Sequence, residues 1–233
     1  MKVLITGTSS GIGEGLAKHY LSTGANVYGI SRRSTAIESE RYEHCILDLN
    51  DLLMDTSKLT TFLSDIPSLD LLVLNAGTLG EIKLMTSTSI EDLKSAMDIN
   101  MWANKIIVDT VLQKFPQIEK VIAISSGASI NGHKGWGAYA LSKAALNMLM
   151  KLYANENEHT KFYAFAPGLV DTSMQNYICD EVDQQEFPST KRIANARKTD
   201  LMPRPEEVSA KIATAFEKLG DYKSGDFVDL RRM

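Results

Sequence analysis

The chain has 233 residues, enough for one sizeable α/β domain. Apolar residues make up 44% and charged residues 23%, ordinary values for a globular protein, and a net charge of −4 without a long basic run argues against a nucleic-acid partner. Cys45 and Cys179 have no CxxC or metal-type neighbours, which argues against a disulfide framework or a metal site; no apolar run is long enough for a bilayer and no signal peptide precedes the first strand, so a cytoplasmic protein without a membrane partner is expected.

The apolar run 2–6 reads as a buried strand. Gly7-Thr8-Ser9-Ser10-Gly11-Ile12-Gly13 follows and opens a helix reaching about residue 23. A strand, a glycine-rich turn and a helix start form an anion site, because free backbone N–H groups and the helix dipole face the ligand. The spacing is G-x-x-x-G-x-G and no G-K-[ST] follows, so this is not a P-loop; a plain tight turn is the simpler alternative. The second strand, 26–31, ends at Arg32-Arg33. A site for an adenine ribose with a free 2′-hydroxyl usually has an acidic residue here, whereas two arginines suit a 2′-phosphate, unless they simply form a solvated basic loop. A short third strand, 44–47, precedes Asp48-Leu49-Asn50-Asp51, residues that suit a cap for the next helix.

The fourth strand, 69–74, closes on Asn75-Ala76-Gly77. Thr88-Ser89-Ile90-Glu91 resembles a capping box and predicts one long helix through Asn100 to Phe115, stopped by Pro116. The run 121–124 is a fifth strand that breaks at Ser125-Ser126-Gly127. From Tyr139 the apolar residues return at helical spacing, so Tyr139 and Lys143 share a face one turn apart. A free phenol titrates near pH ~10, too high for proton transfer at neutral pH, and an ammonium nearby favours the phenolate. Ser126, at the end of the preceding strand, suits a carbonyl oxygen that gains charge. A solvated lysine beside a half-buried tyrosine has the same Y-x-x-x-K spacing, so the rest of the chain must decide.

The sixth strand, 161–166, ends at Pro167-Gly168. Residues 171–203 lack clear periodicity and read as a long substrate-binding loop or lid, facing His133 and Trp136 and contributing Met174. A helix over 205–218 and a last strand, 227–229, complete the chain. Strands and helices alternate throughout, which predicts a doubly wound parallel sheet with ligands at the carboxyl ends of its strands.

Taken together, Thr6-Gly7-Thr8-Ser9-Ser10-Gly11-Ile12-Gly13, Asp48, Asn75-Ala76-Gly77, Asn100, Ser126, Tyr139, Lys143 and Pro167-Gly168 with Thr172 resemble the short-chain dehydrogenase/reductases, in order over the first three quarters of the chain. The resemblance implies a single seven-stranded Rossmann domain and a tetrad of Asn100, Ser126, Tyr139 and Lys143. In it Ser126 orients the carbonyl, Tyr139 donates the proton, Lys143 lowers the tyrosine pKa and binds the nicotinamide ribose, and Asn100 holds a proton-relaying water. It also implies that Asp48 and Leu49 face the adenine, that Asn75 to Gly77 line the cofactor, and that Val170 and Thr172 hold the carboxamide. Gly135-Trp136, the run from Asp171 to Gln175, and Lys223-Ser224-Gly225 before Val228-Asp229 are similar to sepiapterin and benzil reductases, which implies a substrate anchor at Asp229; an ion pair with Arg231 or Arg232 is the alternative for that residue.

The resulting expectation is an NADPH-dependent reductase of a small ketone, diketone or pterin side-chain carbonyl, assembled as a homodimer or homotetramer. Leu74 replaces the family's usual second Asn before Asn75, and the chain is somewhat short for a sepiapterin reductase. A nucleotide-binding regulator without turnover is the alternative of another class, which the intact Ser126, Tyr139 and Lys143 oppose. An NAD-dependent alcohol dehydrogenase is disfavoured by Arg32.

Overall fold

In the computed structural model, which describes residues 1–233, the run KVLIT forms β1 (Lys2–Thr6). Its side chains alternate between two apolar layers: Val3 and Ile5 enter one, Leu4 the other. Burial on both faces is why the strand reads as a continuous apolar run rather than an alternating one. The chain continues through α1 (Gly11–Ser22), β2 (Asn26–Ser31), β3 (Tyr42–Ile46), α2 (Ser57–Ser64) and β4 (Leu71–Leu74). Then follow α3 (Ile90–Met97), α4 (Ala103–Lys114), β5 (Lys120–Ile124), α5 (Gly137–Glu156), β6 (Lys161–Ala166), α6 (Ser173–Asp180), α7 (Pro188–Ala196), α8 (Pro205–Glu217) and β7 (Phe227–Asp229).

The seven strands pair in parallel in the order β3-β2-β1-β4-β5-β6-β7. On one face the sheet packs against Leu59 and Leu63 of α2, Ile107, Val108 and Val111 of α4, and Leu146 and Met150 of α5. On the other it meets Leu16 and Tyr20 of α1 and Val208, Ile212 and Phe216 of α8. Each such side chain, fully buried, stabilises the fold by about 1.5–3 kcal/mol. The strand order reverses between β1 and β4, and a crevice opens where their carboxyl ends diverge. Thr6 fastens this point. Its hydroxyl oxygen accepts the backbone N–H groups of Asn75 and Ala76, both at 3.0 Å, while the Asn75 amide donates to the Thr6 carbonyl at 2.9 Å.

Four expectations need correction. The helix expected to run unbroken to Phe115 is interrupted by a π-helical segment, Asp98–Trp102, in which the Ala103 N–H reaches back five residues to the Asp98 carbonyl. Its capping box lies one residue later than expected, with Ser89 and Asp92 as partners. Asp48 does not cap α2: its carboxylate accepts the Asn50 N–H at 3.0 Å, and a 3₁₀ turn over Asp51–Leu53 intervenes. The segment 171–203 contains two helices, α6 and α7, rather than irregular chain. Their buried faces, Ile178, Thr190, Ile193 and Ala196, are narrow, and Pro188 in the first turn of α7 was the available start signal.

The glycine turn after β1 supplies a stability test. A methyl group on Gly13 would lie 2.3 Å from the Gly7 carbonyl oxygen and 2.5 Å from the Asn75 amide nitrogen. Gly13→Ala is predicted to lower unfolding stability by about 1–3 kcal/mol in a urea titration, through overpacking. An unchanged midpoint would show that this turn has room to yield.

Candidate active site

Along the carboxyl edge of β1, β2, β4, β5 and β6 runs one cavity of about 870 Å³. At one end stand Gly7, Ser9, Ser10, Gly11 and Ile12. Gly7 and Gly11 have φ of +80° and +63°, a conformation that favours glycine. Ser10 precedes α1 but makes no side-chain cap, so the first-turn N–H groups lack the usual side-chain acceptor. This cradle fits the pyrophosphate of a dinucleotide, and Gly13 lets α1 pack directly onto the Gly7 carbonyl beneath it. Arg32 and Arg33 follow β2, both exposed. The Arg32 guanidinium is 3.9 Å from Asp48, and that of Arg33 donates to the Ser10 hydroxyl at 3.2 Å. Leu49 and Asp48 line the same end, while Asn75, Ala76 and Gly77 form the middle of the wall, opposite Pro167, Gly168, Val170 and Thr172.

The other end gathers Ser126, Tyr139 and Lys143. Lys143 is 3% exposed, and its ammonium donates to the carbonyl of Ile124, the last residue of β5, at 2.8 Å. Burial pulls its pKa from 10.5 down to about 8. The Lys143 nitrogen lies 5.8 Å from the centre of the Tyr139 ring. Tyr139 departs from expectation: burial pushes its phenol above the ordinary value, and only the Ser126 hydroxyl opposes this. Desolvation of the phenolate sets this direction. Ser126 starts a 3₁₀ turn, its oxygen accepting the Ala128 N–H at 3.2 Å. The adjacent Ser125 is turned to Asn147, to which it donates at 2.6 Å.

Asn100 stands behind the wall, fully buried in the π segment. Its amide donates to the Thr78 carbonyl at 2.8 Å and to the Ser142 hydroxyl at 2.9 Å, and its side-chain oxygen accepts the Thr78 N–H at 2.8 Å. A methyl on Gly77 would lie 2.9 Å from that oxygen and 3.3 Å from the Lys143 nitrogen, so Asn100 and Lys143 flank the same glycine.

His133, Trp136 and Met174 line this end as well. Trp136 packs in an apolar cluster with Ile178, Phe187 and Ile193, and its indole donates to Ser189 of α7 at 2.9 Å. Arg197 braces α6 to α7, bonding Asp180 at 2.8 Å and approaching Asp171 at 3.5 Å. Asp229, expected as a substrate anchor, is off the cavity wall: both its oxygens are occupied by Arg231, leaving no free edge for an aminopyrimidine. Residues not anticipated from the sequence are Arg231 and Arg232 at the cavity rim, Arg192 on α7, and Gln175, whose side-chain oxygen is buried without a protein partner. Arg192 and Gln175 lie on helices that the apolar spacing did not reveal. Arg231 and Arg232 entered only as possible partners of Asp229.

A doubly wound parallel sheet with a glycine cradle at its switch point and a Ser, Tyr and Lys converging at the far end of one cavity defines a Rossmann-type oxidoreductase. The sequence profile of the short chain dehydrogenase family matches residues 1–183, and the chain belongs to that family, whose enzymes use nicotinamide cofactors. It is 33% identical to a benzil reductase ((S)-benzoin forming) of Bacillus cereus, over 92% of this chain and 93% of that one. It is 28% identical to the sepiapterin reductase of Xenopus laevis, over 68% of this chain and 62% of that one. The crystal structure of the short chain dehydrogenase/reductase YIR035C from Saccharomyces cerevisiae superposes with a TM-score of 0.87 at 25% identity, covering 98% of this chain and 95% of that one. At this level the chain is an oxidoreductase of the short chain dehydrogenase family. No helix is long and apolar enough to cross a membrane.

The depressed pKa of Lys143 has a thermodynamic signature. The unfolded lysine binds its proton up to 10.5 and the folded one only up to about 8, so stability conferred at this position rises with pH between those values. Relative to Lys143→Met, the parent protein is predicted to gain about 2–3 kcal/mol between pH 7 and pH 10 in paired denaturant titrations. Parallel curves for the two proteins would mean that the ammonium is well solvated.

Proposed function

We propose that this protein is an NADPH-dependent reductase of small ketones, diketones or pterin side-chain carbonyls. The observation that carries the reading is the junction, within one cavity, of a phosphate cradle flanked by two arginines with Ser126 and the buried pair Tyr139 and Lys143. Bound NADPH supplies the hydride equivalent for the carbonyl carbon. The residues that would hold it are Gly7, Ser9, Ser10, Gly11, Ile12 and Gly13 at the pyrophosphate, and Arg32 and Arg33 at the 2′-phosphate. Asp48 and Leu49 would face the adenine. Asn75, Ala76, Gly77, Pro167, Gly168, Val170 and Thr172 would line the nicotinamide half.

Ser126 donates a hydrogen bond to the carbonyl oxygen and Tyr139 gives it a proton. A phenol held above its ordinary pKa keeps that proton at neutral pH until the oxygen becomes alkoxide-like and far more basic. Lys143 supplies positive charge beside the developing oxyanion, in surroundings of low polarity where charge acts strongly. Asn100 fixes the loop after β4 against α5, and in the family's scheme it also holds the water that returns a proton to Lys143. The segment 171–203, with Met174, faces His133 and Trp136 as a substrate wall. A homo-oligomer is supported by the outer face of α5, where Leu141, Met148 and Leu152 lie about half exposed at helical spacing.

Tyr139→Phe keeps the ring and removes the transferable proton. Turnover of a diketone is predicted to fall by about 10²–10⁴ while NADPH binding, followed by fluorescence, persists. Near-normal turnover would relocate the acid. Arg32→Ala is predicted to weaken NADPH by about 10–150-fold and NADH little, since a hydrogen bond to a charged group contributes roughly 1.5–3 kcal/mol. Equal losses for the two cofactors would remove Arg32 from phosphate recognition.

A further inference from the structure

The end of the chain carries a cation that the reaction above leaves unused. β7 pairs with β6 so that Asp229 stands beside Ala166 at the carboxyl edge of the sheet, and the chain then enters a 3₁₀ turn, Leu230–Arg232. The Asp229 side chain is 4% exposed and grips Arg231 at three points. Its Oδ1 accepts the Arg231 backbone N–H at 3.0 Å and Nε at 2.9 Å, and its Oδ2 accepts Nη2 at 2.5 Å. The guanidinium is therefore fixed in orientation while its side chain remains 54% exposed. Its stem lies over Gly168, where a methyl would be 3.6 Å from Cγ and Cδ, and its tip reaches Gly127, where a methyl would be 3.3 Å from Nη2. Gly127 directly follows Ser126, so a rigid guanidinium edge stands one residue from the hydroxyl assigned to the reacting carbonyl. Nη1 takes part in no hydrogen bond of the chain.

We propose that Arg231, oriented by Asp229, is the specificity-determining residue of the substrate site and binds the second oxygen of a 1,2-dicarbonyl compound, the oxygen on the carbon next to the one reduced. The inference rests on the carbonyl-reductase reading above and deepens it. Ser126 and Tyr139 take one oxygen, and the guanidinium takes its neighbour. A monoketone leaves that fork without a partner. The second oxygen belongs either to a ketone or to the carboxylate of a 2-oxo acid, and Arg192 and Arg232 on the same rim make an anion acceptable. Asp229 acts through Arg231 and is a positioning residue.

The test compares kcat/KM with NADPH for 1-phenylpropane-1,2-dione, phenylglyoxylate and propiophenone, in the parent protein and in Arg231→Met. The expected result is that at least one dicarbonyl loses about 10–150-fold more than the monoketone, the factor of one hydrogen bond to a charged group. A loss confined to the dione assigns neutral dicarbonyls, and one confined to phenylglyoxylate assigns 2-oxo acids. Asp229→Asn is expected to raise KM for the affected dicarbonyl with a smaller effect on kcat. Because Arg231→Met strands a buried carboxylate, the double variant Asp229→Asn/Arg231→Met provides the same comparison if the single variant is unstable. Equal losses for all three substrates, or no selective loss for either dicarbonyl, overturn the assignment while leaving the reductase intact. A parent protein that reduces none of the three overturns the carbonyl-reductase reading itself, and this inference with it.

Discussion

A single buried ammonium sets the geometry on which the rest of the site depends. Lys143 sits almost wholly out of water, and the hydrogen bond that satisfies it ends on the last carbonyl of β5. That bond ties the start of α5 to the carboxyl edge of the sheet, and so fixes Tyr139 one turn earlier and Ser126 two residues beyond Ile124. A cation answered by a neutral carbonyl is an unfavourable arrangement for a folded protein at neutral pH. The same poverty of solvation leaves its charge unscreened, so a negative charge forming nearby is stabilised far more than it would be at the surface. The position costs stability and strengthens the electrostatic field in the cavity.

The two halves of that cavity are held by different devices. At the cradle the strand ends do the holding: glycines approach closely, and the Thr6 hydroxyl clasps the main-chain N–H groups of Asn75 and Ala76 after β4. At the far end side chains do the holding: Trp136 meets Ser189 across 53 residues of chain, and Asp229 grips Arg231 within the terminal turn. The first half belongs to the rigid sheet edge, and the second to helices and a terminal turn packed onto it. Substrate recognition can therefore differ between proteins of this fold without disturbing the cradle.

Much of the frame was legible because buried parallel strands are written as continuous apolar runs, as in β1, β4 and β5; the edge strand β3, with Glu43 and His44, shows this least. The glycine turn and the order of Asn100, Ser126, Tyr139 and Lys143 were legible as patterns of residue type. What stayed hidden depends on contacts far apart in the chain. The break at Asn100 is held by bonds to Thr78 and Ser142, 22 and 42 residues away. The upward displacement of the Tyr139 pKa reflects desolvation, which no spacing encodes. Helices α6 and α7 are short, with outer faces so polar that their periodicity is faint. Asp229 was noticed for its carboxylate, yet the group it presents to the cavity is the arginine that neutralises it.

The π-helical turn at Asp98–Trp102 acts as a phase shifter. Each residue of an α-helix advances the chain by about 100°, so one additional residue in the winding rotates everything downstream relative to everything before it. Upstream, Ala96 is buried beside α5; downstream, Ile107, Val108 and Val111 must meet the sheet. A uniform α-helix with the same inward face at both ends would present a different side chain at the junction. With the extra residue, both apolar stripes keep their partners while Asn100 points inward between them. The amide that shares Gly77 with the lysine is thus selected by an offset in winding number as much as by the identity of the residue.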